Sequence, residues 1–223
     1  MFSAGKTGMS VFNPSYTFPD VWGNLGFWSS FFIMFLSIMI IILTTNEFNY
    51  RTNRQNVIDG WSRLQFYHAK VALVFSLSFF ATLYIIILGV AAGLSGGGTF
   101  SDITGDFQNV AYFFLLSINY LGLALFIGIW IKRSGLSISI FILYALILEY
   151  PLKHILNSQL NTTLGNYLPL QVSDELFPIP FTKLARQAMM TDPVSMWPYI
   201  IVTVVWCTIY YFAGRRMLLR SDW

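Results

Sequence analysis

The sequence predicts an all-α fold, a polytopic transmembrane helix bundle of about five spans in one domain. Three observations lead there. Hydrophobic residues make up 56% of the 223-residue chain and charged ones 10%, with mean hydropathy +0.61, far from a soluble domain's balance. Apolar runs recur near the ~20-residue length that crosses a bilayer. They do not alternate in polarity, as the ~10-residue strands of a membrane barrel would.

The first span reads from Leu25 to about Thr45, with Trp22 and Trp28 where an aromatic belt would sit. A polar stretch, 46–70, follows it. The second span, 71–94, runs into "LSGGGTFSDITGD", whose glycines and turn formers mark a loop. The third, 110–131, stops at Lys132-Arg133-Ser134-Gly135. The fourth begins near Leu136 and reaches membrane length only by passing Glu149, which places its end near 154, beyond Pro151. A mostly polar region, 155–196, comes next, in which "FTKLARQAMM" has the pattern of a short amphipathic helix. The last span covers 197–213 and leads into "GRRMLLRSDW".

Lys and Arg set the orientation. Arg51, Arg54, Arg63 and Lys70, then Lys132 and Arg133, then Arg215, Arg216 and Arg220 predict three cytoplasmic segments. The glycine-rich loop holds Asp102 and Asp106 without a basic residue, and 155–196 carries both signs, so both are expected outside. The net charge of +3 and pI of about 9.0 are thus explained by loops at a membrane and do not call for nucleic acid. Cys207 is the single cysteine, which excludes an intrachain disulfide and a cysteine-rich metal site. The first twenty residues lack the basic-then-apolar layout of a signal peptide.

The stretch 46–70 is amphipathic. Tyr50, Val57, Trp61 and Leu64 share one helical stripe with Ile58 beside it, and Gln55, Asp59, Ser62 and Arg63 fall opposite. Asp59-Gly60 is a turn signal, so a short helix is expected over about Thr52–Ile58, then a break. On pattern alone, an interfacial helix with snorkelling cations explains these residues equally well.

"NEFNYRTNRQNVIDGWSRLQFYHAK" resembles the first cytoplasmic loop of type-2 ABC transporter permeases, the membrane subunits of ABC exporters. The likeness lies in a Glu at the end of a span, Tyr50-Arg51-Thr52, Arg54-Gln55-Asn56, Asp59-Gly60, Ser62-Arg63 and then Lys70. The later span layout is similar too, including Glu149-Tyr150-Pro151 near the end of the penultimate span. In that family the loop is the coupling helix that docks on a cytoplasmic ATPase subunit. The resemblance therefore implies an interface made by Glu47, Tyr50, Arg51, Thr52, Arg54, Gln55, Asn56, Val57, Ile58, Asp59, Trp61 and Arg63. It also implies a second permease copy, identical or not, in a bacterial inner membrane. ATP and Mg would belong to the ATPase, with no cofactor bound by this chain. Such permeases have six membrane helices with both ends cytoplasmic, whereas about five and an external N-terminus are expected here. Met1 to Asp20 reads as the external link after a missing first helix, from a truncated gene product or a variant that lacks it.

Other signals carry less. "AGKTG" at 4–8 lacks the earlier glycine and preceding strand of a phosphate-binding loop. His68 and His154 fall on opposite sides of the predicted membrane and cannot share a metal. Asn161-Thr162-Thr163 matches a glycosylation triplet, which in a chain of bacterial likeness is expected to stay unmodified. Asn119 sits mid-span, where an unpaired amide costs about 1–3 kcal/mol, so it should face a neighbouring helix or a cavity. Glu149 is ionisable near membrane depth, which marks functional positions. If the fourth helix ends there, it lies at the solvated outer interface. Asn119 and Glu149 are the candidates for a translocation path or gate. A non-transporting anchor or assembly subunit is the competing reading, and an intramembrane enzyme is disfavoured because the spans hold no paired His, Cys or carboxylate sets.

Overall fold

The computed structural model describes residues 17–52, 55, 58, 60–177 and 195–220. The amphipathic helix expected at 181–190 and the first 16 residues lie outside the described residues. Five helices are long and apolar enough to cross a membrane, and the described residues include no strand. The chain is a multi-pass, all-helical bundle.

Helix α1, Asp20–Asn49, opens with an acidic side chain in its first turn, where the helix dipole favours it. α2, Arg63–Ser95, starts from a capping box in which the Ser62 hydroxyl accepts from Gln65 N while the Gln65 side chain accepts from Ser62 N. α3, Gln108–Ile131, ends where Lys132 adopts left-handed backbone and its N–H returns to the Gly128 carbonyl. A two-residue turn then leads to α4, Ser134–Leu160. α4 widens to π geometry over Leu143–Leu148. Pro151, one turn on, has no N–H to give and crowds the carbonyl four residues earlier, so a wider turn just before it suits the sequence. The helix nevertheless continues past Pro151, and left-handed Asn161 caps it by donating to Asn157 O. α6, Trp197–Arg220, closes the bundle.

α3 is the central helix, touching α1, α2, α4 and α6, with buried residues from Val110 to Ile129. Gly128 lets it approach α1, where the Thr44 side chain would lie 3.5 Å from an added Cβ. The outer helices present their large side chains outward, with Phe32 and Phe80 more than half exposed. A bilayer would cover such surface.

The two ends of the bundle differ. Arg63, Lys70, Lys132, Arg133, Arg215, Arg216 and Arg220 gather at one, the basic end, where α1 finishes and α2 begins. The glycine-rich loop, with Trp22 Nε1 donating to Ile103 O at 3.0 Å, closes the other.

Part of the stretch read from the sequence as an external region, 161–177, packs into the bundle. After α4 the chain doubles back at Gly165, whose N–H donates to Asn157 Oδ1 at 2.7 Å and where a Cβ would sit 2.4 Å from the Lys153 carbonyl. It then dives between the helices as the short helix α5, Gln171–Asp174, with Leu170, Val172 and Leu176 buried.

Candidate functional site

At the basic end the α1–α2 loop stands on a braced base. Glu47, near the end of α1, accepts from Lys70, two turns into α2. Phe48 meets Phe66 edge-on at 6.4 Å, and Lys132 Nζ lies 5.4 Å above the Phe48 ring. Arg63 Nη1 donates to the Leu219 carbonyl of α6 at 3.1 Å. Three helices thus converge on the foot of the loop.

Above this base, Arg51 takes left-handed backbone with φ +58°, which turns the chain off α1. Thr52, Gln55 and Ile58 are helical, and Thr52 Oγ1 donates to the Glu47 carbonyl at 3.4 Å. Arg54, Asn56, Val57 and Asp59 lie outside the described residues. Gly60 has φ +96°, the left-handed region that favours glycine. Its turn corrects the stripe expected from the sequence: Trp61 is not helical and Leu64 belongs to α2. What the loop does share is exposure, with Tyr50 76%, Ile58 83% and Trp61 49% accessible. These three large apolar side chains are held out beyond the spans.

Nearer the glycine-rich end, polar side chains converge on α5. Asn119 of α3 is fully buried, and its Nδ2 donates to Pro169 O at 2.7 Å and Ser173 Oγ at 2.9 Å. It thus bonds the inserted chain, while its Oδ1 accepts from Cys207 Sγ of the spanning helix α6 at 3.9 Å. The Tyr120 hydroxyl donates to Asp174 Oδ1 at 2.9 Å. Glu149 is also buried, at 3% exposure, and α4 continues past it, as the length needed to cross a bilayer requires. Its Oε1 accepts from Leu170 N at 2.6 Å, Gln171 N at 2.9 Å and the Tyr144 hydroxyl at 3.3 Å. A carboxylate at the first N–H groups of a short helix satisfies donors that have no helical partner. Lys153 pairs with Glu175, and Trp206 Nε1 of α6 donates to Tyr167 O at 3.0 Å. α3, α4 and α6 therefore each supply a hydrogen bond or ion pair to the inserted segment.

Withdrawal from water pushes the Asp174 carboxyl up to about 7. The Tyr120 hydrogen bond opposes this, Glu149 and Glu175 add to it, and Lys153 opposes it. A cavity of about 500 Å³ borders this cluster, with Phe27, Phe31 and Met34 of α1 on one wall and Tyr120, Lys153, Asp174 and Glu175 on the other. It joins an apolar face to a titratable one.

Asn119 and Glu149 are therefore both brought to the inserted segment, and the described loop residues lie at the basic end of the bundle. Sequence reasoning missed Tyr120, Ser173 and Asp174. The signal that could have found them is Asn119 itself: a mid-span amide requires partners, and "LPLQVSDELF" is apolar enough to enter the bundle and supply them. His68 and His154 lie on helices' opposite ends, and no group of three or more metal-binding side chains occurs among the described residues.

No family model matches the chain, and no curated protein or solved structure matches it either.

Proposed function

We propose that this chain is the permease subunit of an ATP-binding cassette exporter, driven by a separate cytoplasmic ATPase. The observation that carries the proposal is the exposed Tyr50, Ile58 and Trp61 above the Glu47–Lys70 brace. A partner that grips this loop gains buried aromatic and aliphatic anchors. Displacing the loop moves α1 and α2 together, because the ion pair and the Phe48–Phe66 contact join their ends. The sequence likeness to the coupling loop of type-2 permeases points the same way.

In this reading the basic end is cytoplasmic and the path opens toward the other end. Two permease copies face each other around it, and the cavity between α1, α3, α4 and α5 contributes its wall. The ATPase holds ATP and Mg, and no residue of this chain does covalent chemistry. Closure of the ATPase dimer pulls the loops, and the bundles rearrange around the cargo by alternating access. Asn119 and Glu149 hold the inserted segment that shuts the outer side.

A photoreactive amino acid at position 58 tests the assignment in membranes of the native host. Cross-linking to a subunit with a phosphate-binding loop is the expected result. Cross-linking to lipid alone would make the loop an interfacial helix and the chain a membrane anchor.

A further inference from the structure

Three helices without an acidic residue enclose an apolar groove. α2, α3 and α6 contain neither Asp nor Glu. Between them lies a cavity of about 510 Å³, bounded by Gly122 of α3, Val74 and Phe75 of α2, and Val204, Cys207 and Phe212 of α6. Phe75, Val204 and Phe212 are each about half exposed, so the groove opens on the bundle's outer surface. At bilayer depth hydrocarbon fills such a slot.

One end of the groove is polar, and it lies at the basic end. The Tyr67 hydroxyl donates to the Tyr211 carbonyl at 2.8 Å, and the Tyr211 hydroxyl lies 3.1 Å from His68 Nε2. Helical spacing places Arg215 one turn beyond Tyr211 on the same face, with Arg216 beside it. Arg215 Nε is buried with no hydrogen-bond partner. Among the described residues Glu47 is the carboxylate at this end; its Oε1 accepts from Lys70, and its Oε2 is buried without a hydrogen-bond partner.

We propose that the groove binds an anionic phospholipid from the leaflet at the basic end. An acyl chain lies along the groove over Gly122, and the phosphate rests on Arg215 and Arg216 with His68 at the rim. The charge balance selects this occupant. Another apolar helix, or a second copy of this chain, would match the walls but bring no anion to the guanidinium groups, whereas a phosphate brings one. The site is separate from the loop and from α5, so it stands whether or not an ATPase docks.

Native mass spectrometry of the full chain in detergent tests this, with phosphatidylglycerol and phosphatidylcholine of matched chains as probes. Phosphatidylglycerol should bind at least ~10-fold more tightly. Arg215→Gln with Arg216→Gln should abolish that preference while residual binding of both lipids persists. Gly122→Phe should weaken both lipids, since its Cβ meets Tyr210 at an ordinary 3.6 Å and its ring fills the groove. Should Gly122→Phe not fold, the arginine pair decides alone. Equal affinity for the two lipids overturns the proposal, as does a preference unchanged in the arginine variant. A changed oligomeric mass in Gly122→Phe with unchanged lipid binding also overturns it, in favour of a second copy.

Discussion

Asn119, halfway along α3, donates from Nδ2 to the carbonyl of Pro169 at 2.7 Å. The bond holds a non-spanning stretch of chain ~16 Å below the end of α3, taking a rise of 1.5 Å per residue. Replacing Asn119 with Leu removes this bond and the one to Ser173 and leaves a buried carbonyl without its donor. A loss of about 1–3 kcal/mol in unfolding free energy is expected. Hydrogen exchange should show faster exchange at 168–174, with the amides of α2 unchanged. Uniform loss of protection would mean that Asn119 supports the whole bundle and not the inserted segment.

Glu149 predicts a contrast between two variants. Glu149→Gln keeps an oxygen for Leu170 N and Gln171 N and should stay near the parent's stability. Glu149→Ala leaves the buried Leu170 N–H unpaired and should lose about 1–3 kcal/mol in denaturant titration. Equal losses would show that the charge matters and not the acceptor.

Asp174 predicts a pH slope. Its folded carboxyl titrates at about 7, above the ordinary 3.8, so between those values the folded state holds a proton that the unfolded state has released. Its contribution is fully present below about pH 4 and is lost as pH rises through about 7, at no more than ~1.4 kcal/mol per pH unit. Unfolding midpoints measured from pH 4.5 to 8 should fall over that window in the parent and flatten in Asp174→Asn. An identical slope in both proteins would assign the titration elsewhere.

How far these features can be read from the sequence depends on what each segment packs against. The five spans were legible because a run of apolar residues at bilayer length has few other fates. The turn at Gly60 was legible from Asp59-Gly60, since the positive φ is a property of the residue itself. The insertion of α5 was not. Its apolar residues Leu168, Leu170, Val172 and Leu176 are interrupted by Pro169, Asp174 and Glu175, and the partners of those three, Asn119, Tyr120 and Lys153, are distant in sequence. Composition reports polarity, not whether a partner satisfies it. The same ignorance of neighbours left the burial of Glu149 open.

Orientation predicts labelling. In a Cys207→Ser background, a membrane-impermeant maleimide applied to intact cells should reach a cysteine at 102 and not at 55 or 216. Labelling at 55 from outside would reverse the bundle and remove the loop from the cytoplasm.

The central claim is that the Tyr50–Trp61 loop couples this chain to an ATPase, and one measurement tests it most directly. The full chain is purified from native membranes, and its co-purified ATP hydrolysis is compared with that of Ile58→Asp combined with Arg54→Ala. Neither position lies within a span, so insertion and yield should be unchanged. Loss of an anchor of this kind costs about 2 kcal/mol or more, roughly thirtyfold in affinity, so the variant should lose the ATPase and its hydrolysis. Hydrolysis retained at the parent's level, or absent from the parent itself, would contradict the account.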